Sequence, residues 1–209
     1  MKKVLFLTLC LSALGSCRLS QNFHVVEDGK VYRSAQPTYE ELISAHEMFG
    51  IKTVLNLRGG NRDNDWYLDE VRAVEETGMT LINIGMSARR LPHKEDLVQL
   101  LDVLENAEYP ILIHCQAGAD RTGEAVAIYM MEYMGKSKSE ALKLALSFKT
   151  LHLEWRHPAK KYFIRAWEGL DWAYNVYDPC EFDEHYSKEE YCTGSGVLLR
   201  QPATEEDDT

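Results

Sequence analysis

A short stretch near the middle of the sequence combines a candidate nucleophile with a candidate anion clamp. It reads His114-Cys115-Gln116-Ala117-Gly118-Ala119-Asp120-Arg121-Thr122-Gly123, so five residues separate the cysteine from the arginine. In a loop wrapped around one small oxyanion, this spacing lets backbone N–H groups point inward beside a guanidinium fork. A thiolate held in such a loop can attack phosphorus. The stretch therefore predicts a phosphate-binding loop, with Cys115 as nucleophile and Arg121 as clamp.

The other residues of this stretch, which we call the signature loop, are expected to support that chemistry. The predicted substrate-binding positions within it are Gln116, Ala117, Gly118, Ala119 and Thr122. Gly118 permits tight backbone approach, and Gly123 permits close packing of the following helix. His114 is predicted to fix the backbone around Cys115 by hydrogen bonds from its ring. The alternative is an ordinary core histidine at the end of a strand.

The elements around the signature loop predict its placement between a buried strand and a helix. An apolar run, 109–113, precedes the loop, and a helical pattern follows it to Met134. Further strands are predicted at 51–57 and 79–84 and a hairpin at Asp28-Gly29, with helices at about 38–49, 66–77, 93–106, 141–148 and 158–172. This alternation predicts an α/β fold with a central, mostly parallel sheet flanked by helices.

In open α/β sheets, ligands bind beyond the carboxyl ends of the strands. The loops after Leu57, Ile84 and Ile113 should therefore converge. Basic residues on these loops are Arg58, Arg62, Arg89, Arg90 and Lys94. Arg58 is predicted to help bind substrate, although each cation taken alone is more often a solvated surface residue.

The first residues are typical of an export signal. Lys2 and Lys3 precede an apolar run that ends near Leu14, which as a helix reaches about 16 Å, too short for a hydrocarbon core of about 30 Å. The sequence Leu-Gly-Ser-Cys at 14–17 resembles the lipobox of bacterial lipoproteins, which implies acylation of Cys17 and a membrane anchor. The expected organisation is a signal peptide at 1–16 and a lipidated linker at 17–22. The alternative is a soluble secreted protein.

Composition predicts one catalytic domain, 23–177, and a C-terminal tail, 178–209. With 209 residues, 45% of them hydrophobic, the chain can bury a single core. A net charge of −10 disfavours nucleic acid as a partner. In an oxidising compartment Cys180 and Cys192 are expected to form a disulfide that pins the tail, the alternative being two free thiols. No paired metal-ligand spacing lies beside the signature loop, so no metal or cofactor is expected.

The stretch from His114 to Gly123 resembles the His-Cys-x5-Arg-[Ser/Thr] signature of the cysteine-dependent protein tyrosine and dual-specificity phosphatase superfamily. The segments 31–37 and 53–58 are similar to upstream segments of its compact bacterial and atypical dual-specificity members. The resemblance covers about residues 23–175. It implies a phosphocysteine intermediate that water hydrolyses, without a metal.

The general acid is where the sequence departs from this superfamily. Members usually carry an aspartate on the loop before the signature strand, but the corresponding loop, 85–94, contains no carboxylate. Asp120 matches the Asp-Arg-Thr ending of certain bacterial lipid and tyrosine phosphatases, in which this aspartate is implicated as the acid. We therefore predict Asp120 as the catalytic acid, with Asp96 or Glu95 as alternatives. Asp120 would otherwise form an ion pair with a cation such as Arg58 or Arg89.

The sequence thus predicts a membrane-anchored phosphomonoester hydrolase of the bacterial cell envelope, extracytoplasmic or periplasmic. Its expected substrates are phosphorylated proteins or small phosphomonoesters. The alternatives are an inositol phosphate or phosphoinositide phosphatase and a catalytically weak phosphate-binding domain. A rhodanese-like sulfurtransferase or an arsenate reductase is disfavoured by the upstream segments and the Arg-Thr-Gly ending.

Overall fold

The computed structural model describes residues 19–182 together with His185 and Cys192. In this part of the chain one five-stranded sheet has the order β1-β2-β5-β3-β4. The strands are β1 (His24–Glu27), β2 (Val31–Ser34), β3 (Thr53–Asn56), β4 (Thr80–Asn83) and β5 (Ile111–His114). Only the pairing of β1 with β2 is antiparallel. The predicted α/β fold with a mostly parallel sheet is confirmed.

The helices cover both faces of the sheet. They are α1 (Tyr39–Phe49), α2 (Asp65–Thr77), α3 (Lys94–Asn106), α4 (Asp120–Glu132), α5 (Lys138–Ala145), α6 (Pro158–Ala166) and α7 (Leu170–Asn175). Adjacent strand residues point to opposite faces, so Val54 and Leu112 join the core with α1 and α2, whereas Leu55 and Ile113 join the larger core with α3 to α7. Burial on both faces explains why these strands are continuously apolar.

Two predicted helices differ from those observed. The predicted helix at 158–172 is divided into α6 and α7, because Gly169 takes a φ of 105° that a helix cannot contain. The sequence predicts a capping box from Ser137 to Glu140 and a helix at 141–148; the capping box is present, and the helix is displaced toward the N-terminus because the capping-box residues form its first turn. It begins after Ser137, whose hydroxyl accepts the Glu140 backbone N–H, and ends at Ala145. The chain then forms a short 3₁₀ turn, Phe148–Thr150.

The carboxyl ends of the parallel strands lie in one row. Ser34 is aligned with His114, His114 with Asn56, and Asn56 with Asn83. The loops that leave these four residues therefore begin at one edge of the sheet, as predicted from the topology.

The start of the C-terminal tail is attached to the catalytic domain. The predicted disulfide between Cys180 and Cys192 is present, and the backbone N–H of Leu91 donates to the carbonyl of His185 over 3.0 Å. The predicted signal peptide and Cys17 lie outside the described residues. Within the described part, no helix combines the length and apolar character needed to cross a membrane.

Candidate active site

A cavity of about 190 Å³ opens at this edge of the sheet above Cys115. From the signature loop it is lined by Cys115, Gln116, Ala117, Ala119, Asp120 and Arg121; its other walls are Ala88, Arg89, Leu151, Leu153, Arg156 and His157. Cys115 and Arg121 are only 2% and 4% exposed. The structure therefore brings the predicted nucleophile, clamp and acid to one small, anion-sized site. Gly118, Thr122, His114 and Arg58 are not among its lining residues.

The buried side chain of Arg33 on β2 holds the signature loop in place by hydrogen bonds. Its guanidinium donates to the carbonyl of Gly118 over 2.5 Å and to that of Ala145 over 2.8 Å. Burial lowers the pKa of Arg33 to about 10, while the negative charges of Cys115 and Asp120 act in the opposite direction. Arg33 thus satisfies two backbone carbonyls, one of them in the signature loop, and ties that loop to β2.

Gly118 is the point of closest contact between the signature loop and β2. Its φ is +65°, and a Cβ atom placed there would overlap the carbonyl group of Ser34. Both observations agree with the predicted need for glycine at this position.

Substitution Gly118→Ala is accordingly expected to weaken competitive inhibition by inorganic phosphate about tenfold, or about 1.4 kcal/mol, because the loop must move away from β2. Gly135→Ala is the matched control. Gly135 has a φ of +64°, but a Cβ atom added there would meet nothing within 4 Å, so this variant carries the backbone cost without the clash. Equal phosphate inhibition of the two variants would contradict this role of Gly118.

His114 is anchored to a helix rather than to the loop backbone. Its Nε2 lies 2.5 Å from Oε1 of Glu70 on α2, and both side chains are fully buried. Within the described residues its Nδ1 has no hydrogen-bond partner. The amide of Asn56 donates to the second oxygen of Glu70 over 3.2 Å. The predicted bonds from the ring to the backbone around Cys115 are thus replaced by a buried network that joins β5, α2 and β3.

Asp120 lies between two histidines. Its Oδ1 is 2.7 Å from Nδ1 of His152, and its Oδ2 is 2.6 Å from Nδ1 of His157. Burial by itself raises the pKa of Asp120, but the hydrogen bonds and charges of these two rings outweigh it, so that the pKa lies below its ordinary value. Asp120 is therefore held as a carboxylate. The alternative partners named from the sequence, Arg58 and Arg89, do not form this pair.

The two histidines differ in their access to the cavity. His152 is fully buried, whereas the side chain of His157 is 15% exposed and lines the cavity. Within the described residues the second nitrogen of His157, Nε2, makes no hydrogen bond. The arrangement of carboxylate and imidazole is that of a base or acid whose ring is oriented by an aspartate.

The other candidates from the sequence are not among the lining residues of the cavity. Glu95 is exposed and Asp96 is buried in the first turn of α3, and neither lines the site. The guanidinium of Arg58 stacks 3.7 Å from the ring of Trp66 and donates to Gln36. Of the predicted basic loop residues, Arg89 alone lines the cavity.

A buried ion pair holds the loop that carries Arg89 and Arg90. Nζ of Lys160 lies 2.8 Å from both the carbonyl of Arg90 and Oε2 of Glu124. Burial raises the pKa of Glu124 to about 6, against the attraction of Lys160. Because Glu124 follows Asp120 by one turn of α4, this pair fixes the loop to the helix that carries the signature residues.

Sequence reasoning missed four residues that shape this site: Arg33, Glu70, His152 and His157. Arg33 carried a weak signal, since it is a charged residue next to the apolar residues Val31 and Tyr32 of the predicted hairpin. The histidines carried little signal, because the segment between α5 and α6 was predicted only as a connecting loop. Among the described residues, no group of three or more histidine, cysteine or acidic side chains has the geometry to hold a metal ion.

Comparison with known families gives a match over residues 17–161 to the family described as DSP-PTPase phosphatase fused to NAD+ kinase. Among curated proteins the chain is similar to the inositol diphosphatase SIW14 of Saccharomyces cerevisiae, with 35% identity over 109 residues. That match covers 49% of this chain and 37% of the yeast protein, so the chain matches little more than a third of this relative's length.

Solved structures agree with the observed fold. The core catalytic domain of SIW14 from S. cerevisiae superposes with a TM-score of 0.61 at 25% identity, covering 73% of this chain and 89% of that domain. TpbA of P. aeruginosa superposes with a TM-score of 0.57 at 22% identity, covering 74% of this chain and 89% of TpbA, a likeness of fold alone.

Proposed function

Because the chain belongs to the DSP-PTPase phosphatase family and is a cysteine-based phosphatase, we propose that it hydrolyses aryl phosphomonoesters such as phosphotyrosine. The observation that carries this proposal is the narrow cavity with Cys115 and Arg121 at its base. At about 190 Å³ it is smaller than common ligand pockets of about 300–1,000 Å³. It therefore suits a phosphoryl group and one ring, with the rest of the substrate outside.

The reaction proceeds in two displacements at phosphorus. The thiolate of Cys115 attacks in line, the ester P–O bond breaks, and the leaving oxygen takes a proton. Arg121 grips two equatorial oxygens and stabilises their charge. Water then attacks phosphorus and gives up a proton, the P–S bond breaks, and phosphate and the thiolate are released. These steps use only residues of this chain and water.

His157 is the group proposed to deliver the first proton and to accept the second. It lines the cavity and its Nδ1 binds Asp120, so Nε2 remains for the leaving oxygen. Asp120 is ionised and therefore orients the ring and stabilises its charged form, with His152 on its other oxygen. This proposal departs from the predicted role of Asp120 as the acid, because it assigns the proton donor to His157 and makes Asp120 a positioning residue.

An inositol phosphate is the second candidate substrate. Arg89 and Arg156 line the cavity and would bind further phosphates, and the yeast relative is named an inositol diphosphatase. Against this, the signature loop has no lysine between Cys115 and Arg121, and the negative charge of Asp120 repels a polyanion.

A substrate panel tests the choice between these classes. The purified protein is expected to release phosphate from nitrophenyl phosphate and a phosphotyrosine peptide with a kcat/KM at least about tenfold above that for inositol polyphosphates, because one phosphoryl group fits the cavity. Phosphoinositides and phosphoserine complete the panel. A higher kcat/KM for the inositol compounds would overturn the aryl assignment in favour of the second candidate.

The cell-envelope location and the lipid on Cys17 are also part of the proposal. Support comes from the charged start, the short apolar run and the Leu-Gly-Ser-Cys sequence at 14–17. A disulfide between Cys180 and Cys192 fits an oxidising compartment outside the cytoplasm.

A further inference from the structure

The segment 147–157 between α5 and α6, which we call the rim loop, contributes one wall of the active-site cavity. We infer that the rim loop docks on the lipid bilayer and places the mouth of the active site at the membrane surface. This inference rests on the proposed function, because it takes the lipid on Cys17 as the anchor that holds the domain there.

The first observation is the point at which the anchored linker meets the domain. The side-chain amide of Asn22 donates to the carbonyl of Ala117 in the signature loop over 2.9 Å and to that of Thr150 in the rim loop over 3.1 Å. Asn22 follows Cys17 by five residues, and five extended residues span at most about 18 Å. A lipid on Cys17 therefore keeps the cavity within about 18 Å of the bilayer.

The second observation is the apolar surface of the rim loop. Phe148 and Trp155 are 79% and 80% exposed, and Leu151, which lines the cavity, is 56% exposed. Isolated exposed apolar residues are common, but three within eight residues beside a cavity form a patch that marks an interaction site. Tryptophan and phenylalanine are typical of segments that lie in the membrane interface.

The third observation is the local charge. Exposed Lys149 and Arg156 belong to the rim loop, and exposed Arg89 lies across the cavity, although the whole chain has a net charge of −10. The acidic Glu154 of the same loop is paired with Lys161 and Arg165. Cationic and aromatic side chains thus occur together at the mouth, which suits anionic lipid headgroups.

A bilayer is the occupant that these observations favour over a protein partner or a second copy of the chain. The anchor holds the rim loop at a high effective concentration near lipid, so a patch too weak to bind membranes alone still docks. The consequence for function is that the enzyme acts on phosphomonoesters presented at the membrane surface, and a lipid phosphomonoester in vesicles serves as the experimental probe of this position.

Tryptophan fluorescence provides the first test. The full chain, lipidated on Cys17, is reconstituted in anionic vesicles made with and without brominated acyl chains. Bromine atoms quench the fluorescence of a tryptophan side chain that is inserted in the bilayer. Of the four tryptophans, Trp155 is the most exposed, so quenching is expected in the wild type and is expected to be lost in Trp155→Phe. The control variant Trp172→Phe, on α7, should retain the quenching. Equal quenching of wild type and Trp155→Phe would overturn docking.

Kinetics provide the second test. The double variant Phe148→Ser, Trp155→Ser is expected to hydrolyse a lipid phosphomonoester in vesicles about tenfold more slowly than the wild type, with an unchanged rate on soluble nitrophenyl phosphate. Val176→Ser, at a similarly exposed residue just beyond α7, is the matched control.

The outcomes separate this inference from the proposed function. Absence of hydrolysis of nitrophenyl phosphate would defeat the proposed function, while quenching of Trp155 would still report docking. Normal nitrophenyl phosphate hydrolysis without Trp155 quenching would overturn docking alone. Failure of the full chain to acquire lipid on Cys17 would overturn docking together with the proposed anchor, and would leave the proposed phosphatase activity standing. Slower hydrolysis of a soluble phosphotyrosine peptide by the double variant, with no quenching, would assign the rim loop to peptide substrates instead.

Discussion

Replacement of Cys115 by serine is expected to lower turnover by about 10⁴-fold or more, on aryl and alkyl phosphates alike. The hydroxyl of serine is not ionised near neutral pH, so the first displacement at phosphorus loses its nucleophile. Inorganic phosphate should still bind with near-normal affinity, because the backbone donors of the signature loop and Arg121 are unchanged. Rapid-quench assays with radiolabelled substrate should trap a phosphorylated enzyme in the wild type and none in the variant.

The control for this substitution adds a hydroxyl to the same loop without touching the nucleophile. Ala117→Ser changes an exposed side chain and is expected to retain turnover to within about tenfold. Within the described residues Cys115 is the free cysteine, so no neighbouring thiol there can replace it. Turnover by Cys115→Ser equal to that of Ala117→Ser would exclude the cysteine mechanism.

The sequence was informative where the chemistry is local in the chain. The signature loop spans ten consecutive residues, and its spacing predicted the thiol and the guanidinium that line one cavity and the glycine with positive φ between them in the chain. At the starts of α1 and α5, the hydroxyls of Thr38 and Ser137 likewise accept backbone N–H groups three residues further along the chain. Such contacts are determined by short-range geometry and are therefore visible in a linear pattern.

The sequence was uninformative where partners meet through the tertiary fold. Glu70 reaches His114 from a position 44 residues earlier, and His157 reaches Asp120 from 37 residues later. Periodicity assigns such residues to helices or loops but does not state which side chains they face. The prediction of Asp120 as the general acid illustrates this limit. Asp120 does lie at the site, but the histidines that keep it ionised belong to the rim loop, which is distant in sequence.

The substitution His157→Asn is expected to slow an alkyl phosphate by about 10²–10³-fold and nitrophenyl phosphate by less than about tenfold. An alkoxide is a poor leaving group that needs its proton in the transition state, whereas nitrophenolate leaves as a stable anion. The asparagine amide can still donate to Asp120, so the loss reports the missing proton donor rather than a lost contact. Initial rates on both substrates, with kcat and KM separated, provide the measurement.

The pH dependence distinguishes His157 from Asp120 as the donor. Hydrogen bonds from both histidines hold the pKa of Asp120 below its ordinary value, so this carboxyl is ionised near neutral pH and has no proton to give there. With an imidazole donor, kcat for the alkyl phosphate should show a limb that falls as pH rises, because the donor must carry its proton, and His157→Asn should lack this limb. His152→Asn, which removes the buried partner of Asp120, should retain it. Retention of this limb in His157→Asn would return the role to Asp120, and equal loss on alkyl and aryl phosphates would make His157 a positioning residue.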